Sequence, residues 1–337
     1  MLPGRRRCCG EGEFALDRGE LAQGALPSAP VVGPLDPEHD GVVELVAGAP
    51  APTVQDVLKE RVPTAAWQAL SPAEATRPTD PCSRQPSGPR ESSGLGTVPT
   101  PLKVAAVQPA CTAHDVAHNA RVHAETIRAA QARVVVFPEL SLTGYELDAD
   151  AVAVDDVWLA PIMDACAATG SLALVGAPVV EGEWAFIAML RVDAAGVQVA
   201  YRKSWLGGSE PARFTPRREP AVLEVDGWRL GLGICKDTGA AQHVAGTAAL
   251  GIDVYLAGLV HRPEELPEQE ARAVVIARTC RAFVVFASFA GPTGDGFNET
   301  AGSSAIWSPD GLTVVRAGPE VGGIVRATLP WSGRAVS

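Results

Sequence analysis

Three short segments place side chains capable of acid–base and nucleophilic chemistry directly after apolar runs. Glu139, Lys203 and Cys235 lie in the segments FPEL, YRK and GICKD. Because sites in open α/β sheets form at the carboxyl ends of strands, we expect these side chains to meet. Burial beside an apolar strand raises the pKa of a carboxyl and suits Glu139 to act as a general base. A cysteine beside a carboxylate and an ammonium is suited to act as a nucleophile.

The scarcity of lysine supports a chemical role for two of the few that occur. The chain has 24 arginines and four lysines, namely Lys59, Lys103, Lys203 and Lys236. An ammonium is a compact donor that fits an oxyanion, whereas a guanidinium is a broad planar fork. Two of the lysines fall inside the candidate segments, which favours a specific use of the ammonium there.

Each candidate also has a purely structural interpretation. Cys235 fits a buried packing thiol, since free cysteine is among the most buried residue types. Glu139 and Lys203 fit ordinary solvated charges at strand ends. The remaining cysteines of the body are interpreted as packing residues: Cys111, Cys166 and Cys280.

Other potential site motifs are incomplete. His114, His118 and His123 are interpreted as an exposed helix start, because no glutamate completes a His-Glu-x-x-His metal pattern. His243 follows Cys235 by eight residues, but a base on the following helix would point along that helix and away from the thiol. The Gly-Leu-Gly run lacks the third glycine of a dinucleotide fingerprint, and neither a serine elbow nor a P-loop occurs.

The elements that must position these residues alternate between strands and helices in the first part of the body and form hairpins towards the end. This order predicts an α/β fold with a mixed sheet or two packed sheets. Strands are predicted at Leu102–Gln108, Arg133–Phe137, Leu172–Val180, Ala185–Val192, Val197–Tyr201, Ala221–Val225, Arg229–Ile234, Asp253–Ala257, Phe283–Ser288, Ser303–Trp307, Leu312–Arg316 and Gly323–Leu329. Helices are predicted at Asp115–Gln131, Val152–Thr169, Gln242–Leu250 and Glu268–Cys280.

The chain changes character near residue 100. Fourteen of the 28 prolines fall in the first 100 residues, and residues 71–100 show neither a helical nor a strand period. Such a composition cannot bury enough apolar surface to order the chain. We therefore expect a disordered extension over residues 1–100 and a single globular domain over 101–331.

Charge and hydropathy exclude several classes of partner. The formal net charge is −11, which disfavours binding to nucleic acid or to an anionic membrane surface. No apolar run reaches the roughly 18 residues of a membrane span, and no signal peptide is recognised. We expect a cytoplasmic protein whose seven cysteines stay reduced.

Five ordered blocks together resemble the carbon–nitrogen hydrolase (nitrilase) superfamily. The blocks are FPELSLTGY, YRKSWL, GLGICKD, EARAVVIARTCRAFVVFAS and GSSAIWSPDG. The resemblance implies an αββα sandwich that pairs into a homodimer or higher homo-oligomer, and a site without a metal or organic cofactor.

The resemblance also implies a role for each matching residue. Glu139 matches the general base, Lys203 the lysine that stabilises the tetrahedral intermediate, and Cys235 the nucleophile. Glu210 matches a second glutamate near the lysine, although it also fits a plain loop charge. The backbone N–H of Lys236 would complete the oxyanion hole.

Departures from the family pattern concern the pocket more than the reaction. Trp205 replaces a frequent histidine, Lys236 replaces a common aromatic or glutamate, and Ser288 replaces a frequent asparagine. Residues 238–242 also replace a common Arg-Phe-Pro-Glu run. We expect Trp205 and Lys236 to bind substrate or support the site, with Lys236 favouring a substrate carboxylate.

The expected activity is hydrolysis of a small amide or N-carbamoyl compound through a cysteine thioester, releasing ammonia or an amine. Nitrile hydrolysis and acyl transfer to an amine would use the same residues. A non-catalytic homologue that binds a small ligand or forms a dimeric scaffold is the alternative from another class.

Overall fold

The computed structural model describes residues 98–331 and residue 333. The disorder expected for residues 1–100 therefore lies outside the described residues, except for 98–100. At this start of the described chain, Trp228 donates a hydrogen bond from Nε1 to the carbonyl oxygen of Thr100 at 2.9 Å.

The described chain forms twelve strands and four α-helices. The strands are β1 Leu102–Gln108, β2 Val134–Val136, β3 Leu172–Glu181, β4 Trp184–Asp193, β5 Gly196–Arg202, β6 Ala221–Val225, β7 Trp228–Ile234, β8 Val254–Leu259, β9 Phe283–Ser288, β10 Ala305–Trp307, β11 Thr313–Arg316 and β12 Gly323–Leu329. The helices are α1 Val116–Ala130, α2 Ala160–Thr169, α3 Ala241–Ala249 and α4 Leu266–Cys280. Within these residues, no helix is both long and apolar enough to pass through a lipid bilayer.

The strands form two mixed sheets of six strands each. The first has the order β12-β1-β2-β3-β4-β5 and the second the order β11-β10-β9-β8-β7-β6. In each sheet the central strands are parallel, β1-β2-β3 in one and β7-β8-β9 in the other. Their carboxyl ends carry the turns that contain Glu139 and Cys235.

The two sheets pack face to face, and helices cover their outer faces. In β1, Val104 and Ala106 belong to the apolar cluster between the sheets, whereas Ala105 and Val107 belong to the cluster under α1 and α2. A third cluster joins the outer face of the second sheet to α3 and α4. Strands buried on both faces require continuous apolar runs rather than alternation. The predicted αββα sandwich is therefore confirmed.

One predicted helix is too long. The helix expected over Val152–Thr169 begins as a 3₁₀ turn at Val157–Leu159 and becomes α-helical only at Ala160. The residues before it are held differently, since the backbone N–H of Val152 donates to the carbonyl oxygen of Pro178 at 2.8 Å. The Asp156 side chain caps the 3₁₀ turn, which fixes where helical structure starts.

Candidate active site

Glu139 lies in a tight turn that follows β2 and enters the space between the two sheets. The turn leaves almost no room beneath it, because a Cβ on Gly258 of β8 would lie 2.6 Å from the carbonyl oxygen of Phe137 and 2.9 Å from the backbone nitrogen of Glu139. Leu140 adopts a left-handed conformation with φ of 52°. The turn directs the Glu139 carboxyl into the interior, where the residue is 1 % exposed.

A buried histidine supports this turn from the helical side. His123 of α1 stacks on Phe137, with ring centroids 4.2 Å apart, and its Nε2 lies 2.9 Å from Oγ of Ser141. Its ring is completely buried, and burial lowers the pKa of His123 to about 3, so the ring is neutral. The expectation of an exposed His123 is wrong, because this residue lies on the apolar stripe of α1 with Ala120 and Ile127.

Lys203 follows β5 and lies between two carboxylates. Its Nζ donates to Oε1 of Glu139 at 2.6 Å and to Oε1 of Glu210 at 2.6 Å. Glu210 also accepts hydrogen bonds from Tyr145 Oη at 2.5 Å and from the Gly207 backbone N–H at 2.8 Å. The interpretation of Glu210 as a plain loop charge is wrong, since it is buried and bonded to Lys203.

The electrostatics of this cluster place the pKa of Glu139 close to neutral pH. Burial raises the pKa of Glu139 to about 8, the charge of Lys203 opposes that shift, and the charge of Glu210 adds to it. For Lys203, burial acts to lower the pKa, but Glu139, Cys235 and Glu210 outweigh it and hold the pKa above its ordinary value. The ammonium is therefore permanent, and its neighbouring carboxyl exchanges a proton. Oε2 of Glu139 is buried and has no hydrogen-bond partner within the described chain.

Cys235 is the first residue after β7 and belongs to the same electrostatic cluster. It has a left-handed φ of 40° and begins the 3₁₀ turn Cys235–Gly239; such strain in a non-glycine residue typically occurs at functional sites. Its Sγ lies 3.3 Å from the Val260 carbonyl oxygen, to which the thiol donates. Burial raises the pKa of the thiol to about 12, Glu139 adds to the rise, and Lys203 opposes it. The resting group is a thiol whose proton must leave as sulfur attacks.

Asp237, two residues after Cys235, ties the cysteine turn to the lysine loop. Its Oδ2 accepts from the Ile234 backbone N–H at 2.9 Å and from Tyr201 Oη at 2.8 Å. Its Oδ1 accepts from the backbone N–H groups of Ser204 at 3.1 Å and Trp205 at 2.8 Å. Burial raises the pKa of this completely buried carboxyl. One side chain thus joins the end of β7 in one sheet to the residues that follow β5 in the other.

The other residues singled out from the sequence lie around this cluster. Trp205 donates its backbone N–H to Asp237, and its ring lies edge-on to His243 at 5.7 Å, with the Arg218 guanidinium 5.5 Å from its centroid. His243 makes its polar contacts with Tyr201 and Thr247. Trp205 therefore lies between His243 and Arg218 and lines a cavity of about 380 Å³.

Lys236 projects from the cysteine turn to the surface. Its side chain is exposed and passes over Gly207, in the loop that follows Lys203. Ser288, at the end of β9, is completely buried. It bonds through Oγ to Oε1 of Gln269 at 3.4 Å.

A separate polar cluster lies before α1 and in the loop after the Glu139 turn. Nε2 of His114 is 3.9 Å from Glu146 and 3.6 Å from Asp148. Their potential ligand atoms lie within 4.8 Å of one another. His114 and Asp148 are exposed, so this is an arrangement of surface charges.

Sequence reasoning missed three residues that shape the site, namely His123, Tyr145 and Asp237. The helical period placed His123 on the apolar stripe and was a usable signal. Tyr145 and Asp237 stand inside quoted segments, but their partners come from distant parts of the chain, and no local pattern identifies them. The arrangement as a whole provides a proton acceptor, a fixed ammonium and a thiol around one buried point.

A family model described as carbon-nitrogen hydrolase matches residues 103–334. A protein of Pseudomonas protegens named hydrolase in pqqF 5′region is 29 % identical over 217 residues, which is 60 % of this chain and 74 % of that protein.

Two solved structures of one amidase are also similar to this chain. The amidase from Nesterenkonia sp. AN1, as a cysteine-to-alanine variant in complex with butyramide, is 25 % identical with a TM-score of 0.60 and covers 70 % of this chain and 94 % of its own. A glutamate-to-glutamine variant of that amidase carries the acetamide moiety of fluoroacetamide on its active-site cysteine. It is 25 % identical with a TM-score of 0.60 and covers 71 % of this chain and 94 % of its own.

Proposed function

The chain belongs to the carbon–nitrogen hydrolase family, and we propose that it hydrolyses a small non-peptide amide or N-carbamoyl compound through a thioester on Cys235. The observation that carries the proposal is the buried Lys203 ammonium, bonded at 2.6 Å to Glu139 and to Glu210, beside a strained cysteine. Such a costly arrangement of buried charges is typical of functional sites.

In the first step the sulfur of Cys235 attacks the carbonyl carbon while its proton passes to Glu139. The unpartnered Oε2 of Glu139 supports this role, because it is the carboxyl oxygen that Lys203 does not occupy. The new negative charge on the carbonyl oxygen is stabilised by the Lys203 ammonium and the backbone N–H of Lys236. Glu210 holds Lys203 in place. The C–N bond then breaks, and the proton on Glu139 passes to the leaving nitrogen as ammonia or an amine departs.

In the second step water replaces the departed nitrogen. Glu139 takes a proton from the water while the water oxygen bonds to the thioester carbon, and the C–S bond then breaks. The carboxylic acid leaves, and the sulfur regains its proton from Glu139. The raised pKa of Glu139, about 8, suits a group that must accept and return protons near neutrality.

An amide is favoured over a nitrile by the relatives. The Nesterenkonia protein is named an amidase, and one of its structures contains butyramide; at 25 % identity this supports the reaction type. The presence of Glu139, Lys203 and Cys235 together favours catalysis over a binding-only role. A cytoplasmic location and a homo-oligomeric assembly stay predictions from the sequence.

The test is an ammonia-release screen over small amides, N-carbamoyl compounds and nitriles, with Cys235→Ala and Cys235→Ser as matched variants. We expect release from amides or N-carbamoyl compounds by the wild-type chain and a loss of at least about a thousandfold in both variants. Undiminished release by Cys235→Ala would refute the proposed nucleophile.

A further inference from the structure

The exposed Lys236 side chain passes over Gly207, in the loop that follows Lys203. A Cβ on Gly207 would lie 3.1 Å from Cδ of Lys236 and 3.9 Å from its Nζ. The absence of a side chain at position 207 therefore makes room for the lysine stem. Gly207 itself is fixed, because its backbone N–H donates to the buried Glu210 at 2.8 Å.

Among the described residues, no hydrogen bond or ion pair reaches the Lys236 side chain, although the chain has 39 acidic residues and a net charge of −11. By contrast, seven arginines of the described chain pair with carboxylates: Arg133, Arg191, Arg202, Arg217, Arg229, Arg272 and Arg316.

The place of Lys236 in the chain brings its charge close to the reacting atoms. It directly follows Cys235, so its backbone lies at the reaction centre while its side chain leads outward along the loop after Lys203. With its carbonyl carbon at the sulfur, a small substrate would place its far end within the span of the Lys236 side chain. An ammonium is a point donor that suits one oxygen of a carboxylate and attracts it most strongly at low salt.

We propose, building on the proposed function, that the substrate is a small amide carrying a carboxylate, and that the Lys236 ammonium binds this carboxylate. Lys236 then determines specificity, and its side chain takes no part in bond making or breaking. A neutral amide of equal size lacks the charge interaction and reacts more slowly.

The test compares two probes with the same five-carbon chain, glutaramate and pentanamide, by kcat/KM for ammonia release. We expect the wild-type chain to prefer glutaramate by about tenfold, equivalent to about 1.4 kcal/mol. Lys236→Met lowers the ratio of kcat/KM for glutaramate to that for pentanamide to about one, Lys236→Arg retains part of the preference, and Lys236→Glu reverses it. Added salt lowers kcat/KM for glutaramate only.

Lys103→Met is the matched control, because it removes another exposed lysine and changes net charge equally. Its preference should equal that of the wild type. Thermal unfolding of each variant separates a folding defect from a change of specificity.

Equal kcat/KM for the two probes in the wild-type chain would overturn the inference and leave the proposed function standing. So would an equal loss for both probes in Lys236→Met. An absence of ammonia release from glutaramate, pentanamide and N-carbamoyl-β-alanine would instead overturn the proposed function, and the inference with it.

Discussion

Replacing Glu210 with glutamine is expected to move the acid limb of the pH–rate profile to lower pH. The negative charge of Glu210 is one cause of the raised pKa of Glu139, after burial and against the effect of Lys203. Removing that charge favours the ionised form of Glu139, which is the form that accepts the thiol proton. The base therefore becomes available at lower pH.

The size of the shift follows from the geometry. Oε1 of Glu139 and Oε1 of Glu210 each lie 2.6 Å from Lys203 Nζ, so the two oxygens are at most about 5.2 Å apart, twice that distance. At an effective dielectric constant of about 20, two unit charges at this separation repel by about 3 kcal/mol, or about two pKa units. Because each charge is spread over a whole carboxylate, we expect a shift of about one to two units.

Glutamine preserves most of the local structure. Its Oε1 still accepts from Lys203 and Tyr145, and only the bond from the Gly207 backbone N–H is lost. The measurement is kcat/KM against pH for an amide, which reports the pKa of the free enzyme. The limb is expected near 8 in the wild-type chain and near 6 to 7 in Glu210→Gln.

A second readout does not depend on turnover. The rate of Cys235 alkylation by iodoacetamide against pH should shift in the same direction. Tyr145→Phe is the control, because it removes one hydrogen bond to Glu210 but leaves the charges of Glu139, Lys203 and Glu210 in place. Its acid limb should stay close to that of the wild-type chain. An acid limb that stays in place in Glu210→Gln, or moves to higher pH, would refute the electrostatic reasoning.

Three further changes test other parts of the cluster. Lys203→Met leaves two buried carboxylates without their cation, so urea unfolding at pH 8 should show a loss of about 3–5 kcal/mol in the free energy of unfolding. The loss should be smaller at pH 5, where protonation of Glu139, whose pKa is raised by burial, removes part of the buried charge. A loss below about 1 kcal/mol at pH 8 would contradict this account. Asp237→Asn places a side-chain NH2 donor where Oδ2 accepts from the Ile234 N–H and Tyr201 Oη. We expect kcat to fall at least about tenfold while KM changes little. A fall in stability with kcat unchanged would argue against a role in positioning Cys235. His123→Phe keeps the ring stacking on Phe137 but leaves the Ser141 hydroxyl without its partner. Thermal or urea unfolding should show a loss of about 1–3 kcal/mol in the free energy of unfolding. An unchanged stability would count against that hydrogen bond.

The sequence predicts four strands with the bounds that the structure shows, namely the edge strands β6 and β12 and the largely buried strands β1 and β9. The apolar run Leu102–Gln108 coincides with β1, and Phe283–Ser288 coincides with β9. Such strands need uninterrupted apolar residues, so their pattern is strong and local. The helix at Val152–Thr169 was predicted too long because the hydrogen bond from Val152 to Pro178 on β3 has no signature in the local sequence.

The same distinction applies to the site. The residue types and their place after strands, with the family resemblance, singled out Glu139, Lys203 and Cys235, and the structure brings them into one cluster in which Glu139 and Lys203 are buried and Cys235 is partly buried. Asp237 was missed because the hydroxyl that it binds belongs to Tyr201, 36 positions earlier and in the other sheet. Contacts of this kind depend on how the two sheets pack.

The acyl-enzyme on Cys235 is tested most directly by intercepting it with hydroxylamine. A simple amide and the ethyl ester of the same acid would be turned over in the presence of hydroxylamine, and the ratio of hydroxamate to acid measured for each. If both substrates form one thioester, the ratio is the same for the two leaving groups, and Cys235→Ala forms neither product. A ratio that depends on the leaving group, or hydroxamate formed by Cys235→Ala, would contradict a thioester on this sulfur.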